Sequence, residues 1–284
     1  MHHYEDTFEG QGGLQLFAQS WRPAESPRAS LAVLHGFGEH SDRYGNVVDW
    51  FLPKGYLVGA FDMRGMGRSP GRRGHIGDWN ELREDVRLFL QWLKAQEPSA
   101  PTFLLGHSQG GLIALDYALH NTDGLVGVIA SAPAIGSLPV SAPMMLVAKL
   151  FSRIWPTFAQ DVKLDASALS RDPQVPADYT SDPLVHGMAT ARLGTEMMKA
   201  IETTQALACE MKLPCLIVHG AADRLVPHEC SLTFYESMVI EDKERREYPG
   251  GYHEGFNDVH KEKVLADVER WVERHLGPEA GTTL

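Results

Sequence analysis

Phe103-Leu104-Leu105-Gly106-His107-Ser108-Gln109-Gly110-Gly111-Leu112-Ile113-Ala114-Leu115 decides the fold of this chain. The stretch begins as a short apolar run, ends as an apolar helix-forming run, and carries Gly-x-Ser-x-Gly between them. That is the pattern of a strand turning sharply into a helix with a serine on the turn. Ser108 has to stand clear of both elements. Gly106 and Gly110 remove the β-carbons that would collide where the chain folds back on itself. The arrangement points to nucleophilic catalysis by a serine.

Outward from this turn, short apolar runs alternate with helical patterns. Leu14 to Trp21 alternates as one strand of a hairpin opened at Gly10 to Gly13. Buried strands are expected at Leu31–Leu34, Tyr56–Phe61, Thr102–Leu105, Leu125–Ala130 and Cys215–Val218, with a polar edge strand near Arg245–Tyr248. Leu82, Val86, Phe89, Leu90 and Leu93 share a helix face that Pro98 ends. Asp258 to His275 reads as a closing helix with Val264, Leu265, Val268, Trp271 and Val272 inward. Strands alternating with helices predict an α/β fold, a mostly parallel eight-stranded sheet with helices on both faces.

The rhythm breaks between residues 134 and 208, where Met, Pro and aromatic residues gather. This segment reads as an inserted helical cap (lid) over the carboxyl ends of the strands, where such sheets bind ligands. The expected organisation is therefore a core domain of residues 1–133 and 209–276, a cap of 134–208, and a flexible tail of 277–284.

Composition narrows the function classes. The chain has 284 residues, 43% of them hydrophobic, and a net charge of −11 with no basic run. Phosphate recognition needs a basic face, so nucleic acid is a poor partner. Three cysteines, Cys209, Cys215 and Cys230, show no metal-like spacing and imply no disulfide framework, which favours a reducing, cytoplasmic setting. The start, Met1-His2-His3-Tyr4-Glu5-Asp6, has neither a basic nor an apolar segment, so no secretory leader is expected.

A serine needs a base, and the base needs an orienting acid. After a strand–turn–helix serine the expected order is acid, then histidine. Leu216 to Asp223 is a strand running into a loop that ends in Asp223, whereas Asp161, Asp165, Asp172, Asp178 and Asp182 fall in the expected cap. Tyr248-Pro249-Gly250-Gly251-Tyr252-His253-Glu254 is a glycine-bearing loop before the closing helix, and it offers His253. His260, expected inside that helix, and His219, beside Asp223, are weaker candidates. The oxyanion hole should use the amides of Gln109 and of Phe37, in the loop His35-Gly36-Phe37-Gly38.

These residues resemble the monoacylglycerol lipase and lysophospholipase branch of the α/β-hydrolases. The resemblance is carried by Gly36-Phe37-Gly38-Glu39-His40-Ser41-Asp42-Arg43-Tyr44, Asp62-Met63-Arg64-Gly65-Met66-Gly67-Arg68-Ser69, the Ser108 turn, Gly220-Ala221-Ala222-Asp223 and Gly251-Tyr252-His253-Glu254. It implies hydrolysis of single-acyl-chain lipid esters such as monoacylglycerol, without cofactor or metal. It also implies that Glu39 and Arg43 line the glycerol end, the alternative being an ion pair that fixes the oxyanion loop. His107, Met144, Met145, Leu146 and Phe151 are further expected substrate contacts. The chain departs from the family in Phe37, where a small residue is common, and in Gln109, where Met is common. The cap is expected to touch lipid aggregates transiently, giving peripheral contact with membranes. Lysophospholipids and short- or medium-chain esters are the alternative substrates. A non-catalytic ligand-binding protein on the same fold is the alternative of another class, although such relatives usually lose a triad member. Gly65-Met66-Gly67 lacks the third glycine of a dinucleotide fingerprint, and His35 with His40 lacks the spacing of a zinc helix.

Overall fold

The computed structural model describes residues 1–136, 142–162 and 164–277, with the backbone alone at 142–145. The first elements are β1 (His2–Glu9), β2 (Gln15–Arg22), β3 (Ala29–Leu34), α1 (Gly45–Phe51), β4 (Tyr56–Phe61), α2 (Trp79–Gln96), β5 (Thr102–His107), α3 (Gln109–His120) and β6 (Leu125–Ser131). There follow α4 (Ala142–Ile154), β7 (Ala159–Asp161), α5 (Gln174–Ser181), β8 (Met188–Thr190) and α6 (Ala191–Ala206). The chain closes with β9 (Cys215–Gly220), α7 (His228–Ser237), β10 (Lys243–Tyr248) and α8 (Lys261–His275).

Eight strands form one sheet in the order β1-β2-β4-β3-β5-β6-β9-β10. The β1–β2 and β2–β4 pairs are antiparallel and the remaining pairs parallel, so this is the α/β-hydrolase fold the sequence led us to expect. Every residue of β3, β4, β5 and β9 is buried, which explains why these strands read as continuous apolar runs. β10 lies at the edge and is correspondingly polar.

Helices cover both faces. On one side Phe61, Leu104, Phe89 of α2 and Ile113 of α3 share a core; on the other, Phe103 and Leu216 meet Phe51 of α1 and the stripe Val264, Val268, Trp271 and Val272 of α8. Trp271 is 1% exposed and meets Phe103 edge-on at 5.9 Å. Gly127 of β6 makes room for it, since a β-carbon there would come within 2.6 Å of the indole.

Two expectations need correction. The closing helix starts at Lys261 rather than Asp258, and His260 precedes it. Asp258 is occupied elsewhere: its carboxylate accepts from the amides of Tyr252 (3.0 Å), Val259 (2.9 Å) and Arg171 (2.9 Å). The segment between β6 and β9 also contains a small antiparallel ribbon, β7–β8, beside its helices. Strands of three residues are too short for an alternating pattern to register. Of the expected tail, residues 278–284 lie outside the described residues.

Replacing Trp271 with Ala should destabilise the fold by about 3–5 kcal/mol, because the surrounding core cannot collapse into the space. Urea unfolding would show this as a lower midpoint with little change in slope.

Candidate active site

The Ser108 turn joins β5 to α3 with φ 52° and ψ −118°, a conformation that L-residues rarely adopt. The turn is held by hydrogen bonds from the Ser108 amide to Ser131 O (2.9 Å) and to Ser108 O from the amides of Leu112 (3.0 Å) and Ala134 (2.9 Å). The flanking glycines are sterically required. A β-carbon on Gly106 would lie 2.1 Å from Gly110 O, and one on Gly110 would lie 2.3 Å from Leu34 O. This close approach brings the start of α3 against the loop after β3. A β-carbon on Gly36 of that loop would stand 3.3 Å from Ser108 Cβ. Neither the Phe37 nor the Gln109 amide donates to another group among the described residues.

The loop after β9 supplies Asp223 and the loop after β10 supplies His253. His253 Nδ1 donates to Asp223 Oδ2 at 2.7 Å. Asp223 Oδ1 accepts from the amides of Leu225 (2.8 Å) and Val226 (3.0 Å), and His219 Nε2 reaches Oδ2 at 3.1 Å. Burial alone would raise the Asp223 pKa; the bonds from His219 and His253 outweigh it and hold the group far below the usual carboxylate range. An ionised carboxylate can only accept, so His253 carries its proton on Nδ1 and keeps Nε2 as the basic nitrogen.

His107 packs against this pair, its ring centroid 4.7 Å from that of His253. Burial, with the neighbouring His253 ring acting in the same direction, pushes its pKa down to about 3. His107 is therefore a neutral wall beside the His253 ring.

Glu39 and Arg43 sit in a buried network. Glu39 Oε1 accepts from the Gly36 amide (2.5 Å) and the Tyr44 hydroxyl (2.9 Å), while Glu39 Oε2 pairs with Arg43. Arg43 also forms a two-pronged pair with Glu254 at 2.7 and 2.9 Å and lies 4.8 Å under the Tyr179 ring. Burial works against the Glu39 charge, but Arg43 overcomes it, and the carboxyl falls to about 2. Through Gly36 this network fixes the loop that carries the Phe37 amide. Among the described residues no group of His, Cys, Asp and Glu is arranged to hold a metal ion.

Comparison with known proteins fits this arrangement. Residues 25–260 match the family described as "Serine aminopeptidase, S33". The chain is 36% identical to a monoacylglycerol lipase of Mycolicibacterium smegmatis over 96% of its own length and 98% of that protein's. The chain belongs to this monoacylglycerol lipase branch of the α/β-hydrolases. Its backbone is similar to the crystal structure of Paleococcus ferrophilus monoacylglycerol lipase, with a TM-score of 0.84, 34% identity and coverage of 92% and 99% of the two chains. A soluble variant of monoglyceride lipase from Saccharomyces cerevisiae, solved with a substrate analogue, gives a TM-score of 0.84 at 26% identity, covering 97% and 96%.

Other expected contacts of this lipase-branch chain fall in the segment before α6. The Phe151 ring packs at a tilt against that of Phe158, with centroids 4.9 Å apart. Leu146 is 70% exposed on the outer stripe of α4. Met144 and Met145 lie outside the described side chains. The sequence reading missed Tyr179 and Glu254 as partners of Arg43, and treated His219 only as a rival base. For Glu254 a signal was present, since it directly follows His253, but its partner stands 211 positions away.

The depressed pKa of Glu39 has a stability consequence. The folded value of about 2 lies below the ordinary value of 4.5, so the carboxylate contributes stability above pH 4.5 that is lost as pH falls toward 2. A Glu39→Gln variant should lose that part of the acid dependence. Its unfolding free energy should fall less steeply than the parent's across this window in denaturant titrations at stepped pH.

Proposed function

We propose that this chain is a serine ester hydrolase that cleaves the acyl ester of monoacylglycerol through a covalent acyl-enzyme on Ser108. The pairing of His253 Nδ1 with the buried Asp223 carboxylate, behind the Ser108 turn, carries the chemistry. The similarity to monoacylglycerol lipases over nearly the whole chain carries the substrate.

Ser108 Oγ attacks the acyl carbonyl while His253 Nε2 takes its proton. The charge that develops on the carbonyl oxygen is met by the amides of Phe37 and Gln109, each worth on the order of 3 kcal/mol in the transition state. Asp223 orients the imidazole and stabilises it while it is charged. The protonated His253 then donates to the leaving glycerol oxygen, and water releases the acyl group by the same steps. Glu39 and Arg43 serve this reading by holding the oxyanion loop and by shaping the polar end beside it.

We read residues 134–208 as a cap on a core of 1–133 and 209–276. Its ties to loops at the carboxyl ends of the strands support this: His186 N to Gly38 O (2.9 Å), His40 to Asp182 (2.8 Å) and Thr190 N to Gly74 O (2.9 Å). On α4, Leu146, Val147, Leu150 and Ile154 are 70%, 53%, 54% and 67% exposed, and Trp155 beyond it is 56% exposed. Such a stripe suits brief contact with lipid aggregates, which would remove it from water at about 25 cal/mol per Å². No helix among the described residues is long and apolar enough to cross a membrane. We infer a cytoplasmic protein with peripheral lipid contact.

A fluorophosphonate probe should label Ser108 in the folded protein, and Ser108→Ala should lower turnover by roughly five to six decades. A panel of monoacylglycerols, lysophospholipids and nitrophenyl esters tests the substrate; preference for lysophospholipids would reassign it. Leu146→Glu should cut activity on micellar monoacylglycerol by roughly fivefold or more, since a charge at the contact opposes burial. Its activity on a soluble short-chain ester should stay at the parental level.

A further inference from the structure

His219 closes β9, four residues before Asp223, and its side chain is fully buried. Its Nε2 faces two acceptors, Asp223 Oδ2 at 3.1 Å and Val226 O at 3.0 Å. Neither can donate, so Nε2 carries a proton in every charge state of the ring. Burial lowers the His219 pKa and favours the neutral ring, whose Nδ1 must then accept. The group within reach of Nδ1 is the Ser231 hydroxyl at 2.9 Å, on α7, whose single proton is shared between Nδ1 and His228 O at 2.8 Å. Arg245 Nε of β10 in turn donates to Ser231 Oγ at 3.3 Å. His219 is thus held through Ser231 against Arg245 and α7, and its Nε2 proton is directed at Asp223 Oδ2. That oxygen is the one to which His253 Nδ1 donates.

We propose that His219 is a positioning residue for the reaction: the second donor on Asp223 Oδ2, which shares that oxygen with His253 and thereby sets the basicity of the catalytic imidazole. A carboxylate oxygen that accepts from two rings presents less negative charge to either one. Without His219 the same oxygen stabilises the protonated form of His253 more strongly, and the neutral, basic form becomes scarcer at a given pH. The other charged or titratable groups around this end are His107 against His253, Glu39 and Arg43 behind His107, and Glu254 next in chain to His253. Around His219 they are His228, whose ring stands 6.4 Å away, and Glu247, which pairs with both His228 and Arg245.

The inference rests on the proposed Ser108–His253–Asp223 triad, and the experiment separates the two. His219→Leu, His219→Gln and Ser231→Ala are assayed on a soluble nitrophenyl ester from about pH 5 to 9, with active sites counted by fluorophosphonate labelling of Ser108. His219→Leu should lower kcat about tenfold with little change in KM and move the acidic limb of kcat/KM upward by about half a pH unit. His219→Gln, whose amide can still donate to Asp223, should return most of both. Ser231→Ala should shift the limb in the same direction by less, and it carries the test if His219→Leu does not fold. A parental acidic limb in His219→Leu, or in Ser231→Ala should only that variant fold, overturns the inference, even where the melting temperature has dropped. Failure of the parent to label at Ser108 overturns the triad instead.

Discussion

The backbone at Ser108 is the constraint around which the rest is arranged. Holding a non-glycine residue at φ 52° costs on the order of 1–3 kcal/mol, and it persists only where the surroundings over-determine it. Here they do. β5 lies between β3 and β6, and the loop after each of those neighbours meets the turn. Gly36 passes the Ser108 side chain on one side, while Ser131 O and the Ala134 amide grip its backbone on the other. Ala132, in that second loop, is itself at φ 41° and donates to Val218 O of β9 at 2.8 Å. The loop that grips Ser108 thus carries a second positive-φ residue, tied in turn to the neighbouring strand. Because those strands are parallel, their carboxyl ends share one edge of the sheet, and the loops bearing Phe37, Ser108, Asp223 and His253 meet there.

Burial then sorts the charges at that edge. Desolvation works against every ionised group, so the outcome depends on the donors each group collects. Asp223 has two amides and two imidazoles, and Glu39 has an amide, a hydroxyl and an arginine; both stay ionised. His107 has the Ser131 hydroxyl at 3.2 Å and a neighbouring imidazole, and burial leaves it neutral. His35 is neutral for the same reason. It donates from Nδ1 to Gly36 O at 2.7 Å and accepts the Met63 amide on Nε2 at 2.9 Å, which steadies the loop that carries Phe37. Among these groups only His253 combines an ionised partner with a ring nitrogen that no described residue engages.

What could be read from the sequence was what is decided locally. Gly106 is fixed by sterics within five residues, against Gly110 O, although Gly110 itself answers to the distant Leu34 O; the central strands announce themselves because both of their faces are covered. The proposed order of nucleophile, acid and base follows from the order of the strands. Long-range pairing left no such trace. The Arg43–Glu254 pair spans 211 positions, and Tyr179 reaches Arg43 from α5, in a region with no clear period. α8 starts at Lys261 rather than at the expected Asp258, whose carboxylate serves Arg171 and the Tyr252 amide instead. Local propensity lost there to a distant partner.

That same Asp258 changes the meaning of the segment between β6 and β9. Arg171 of the segment pairs with Asp258 at 3.0 Å, and the amides of His253 and Glu254 donate to Ala168 O (3.4 Å) and Leu169 O (2.8 Å). The loop that carries the proposed base is therefore built partly on the segment proposed as a cap. Removing the segment would strip hydrogen-bonding partners from the His253 loop as well as apolar surface from the outside of the molecule. Loss of activity in a cap deletion could not distinguish the two causes. Side-chain changes on the exposed stripe of α4 can, because Leu146, Leu150 and Ile154 point away from the core and their replacement leaves the bonds at residues 168–171 in place. The proposed lipid contact and the bonds that hold the His253 loop lie in one segment but on different residues of it.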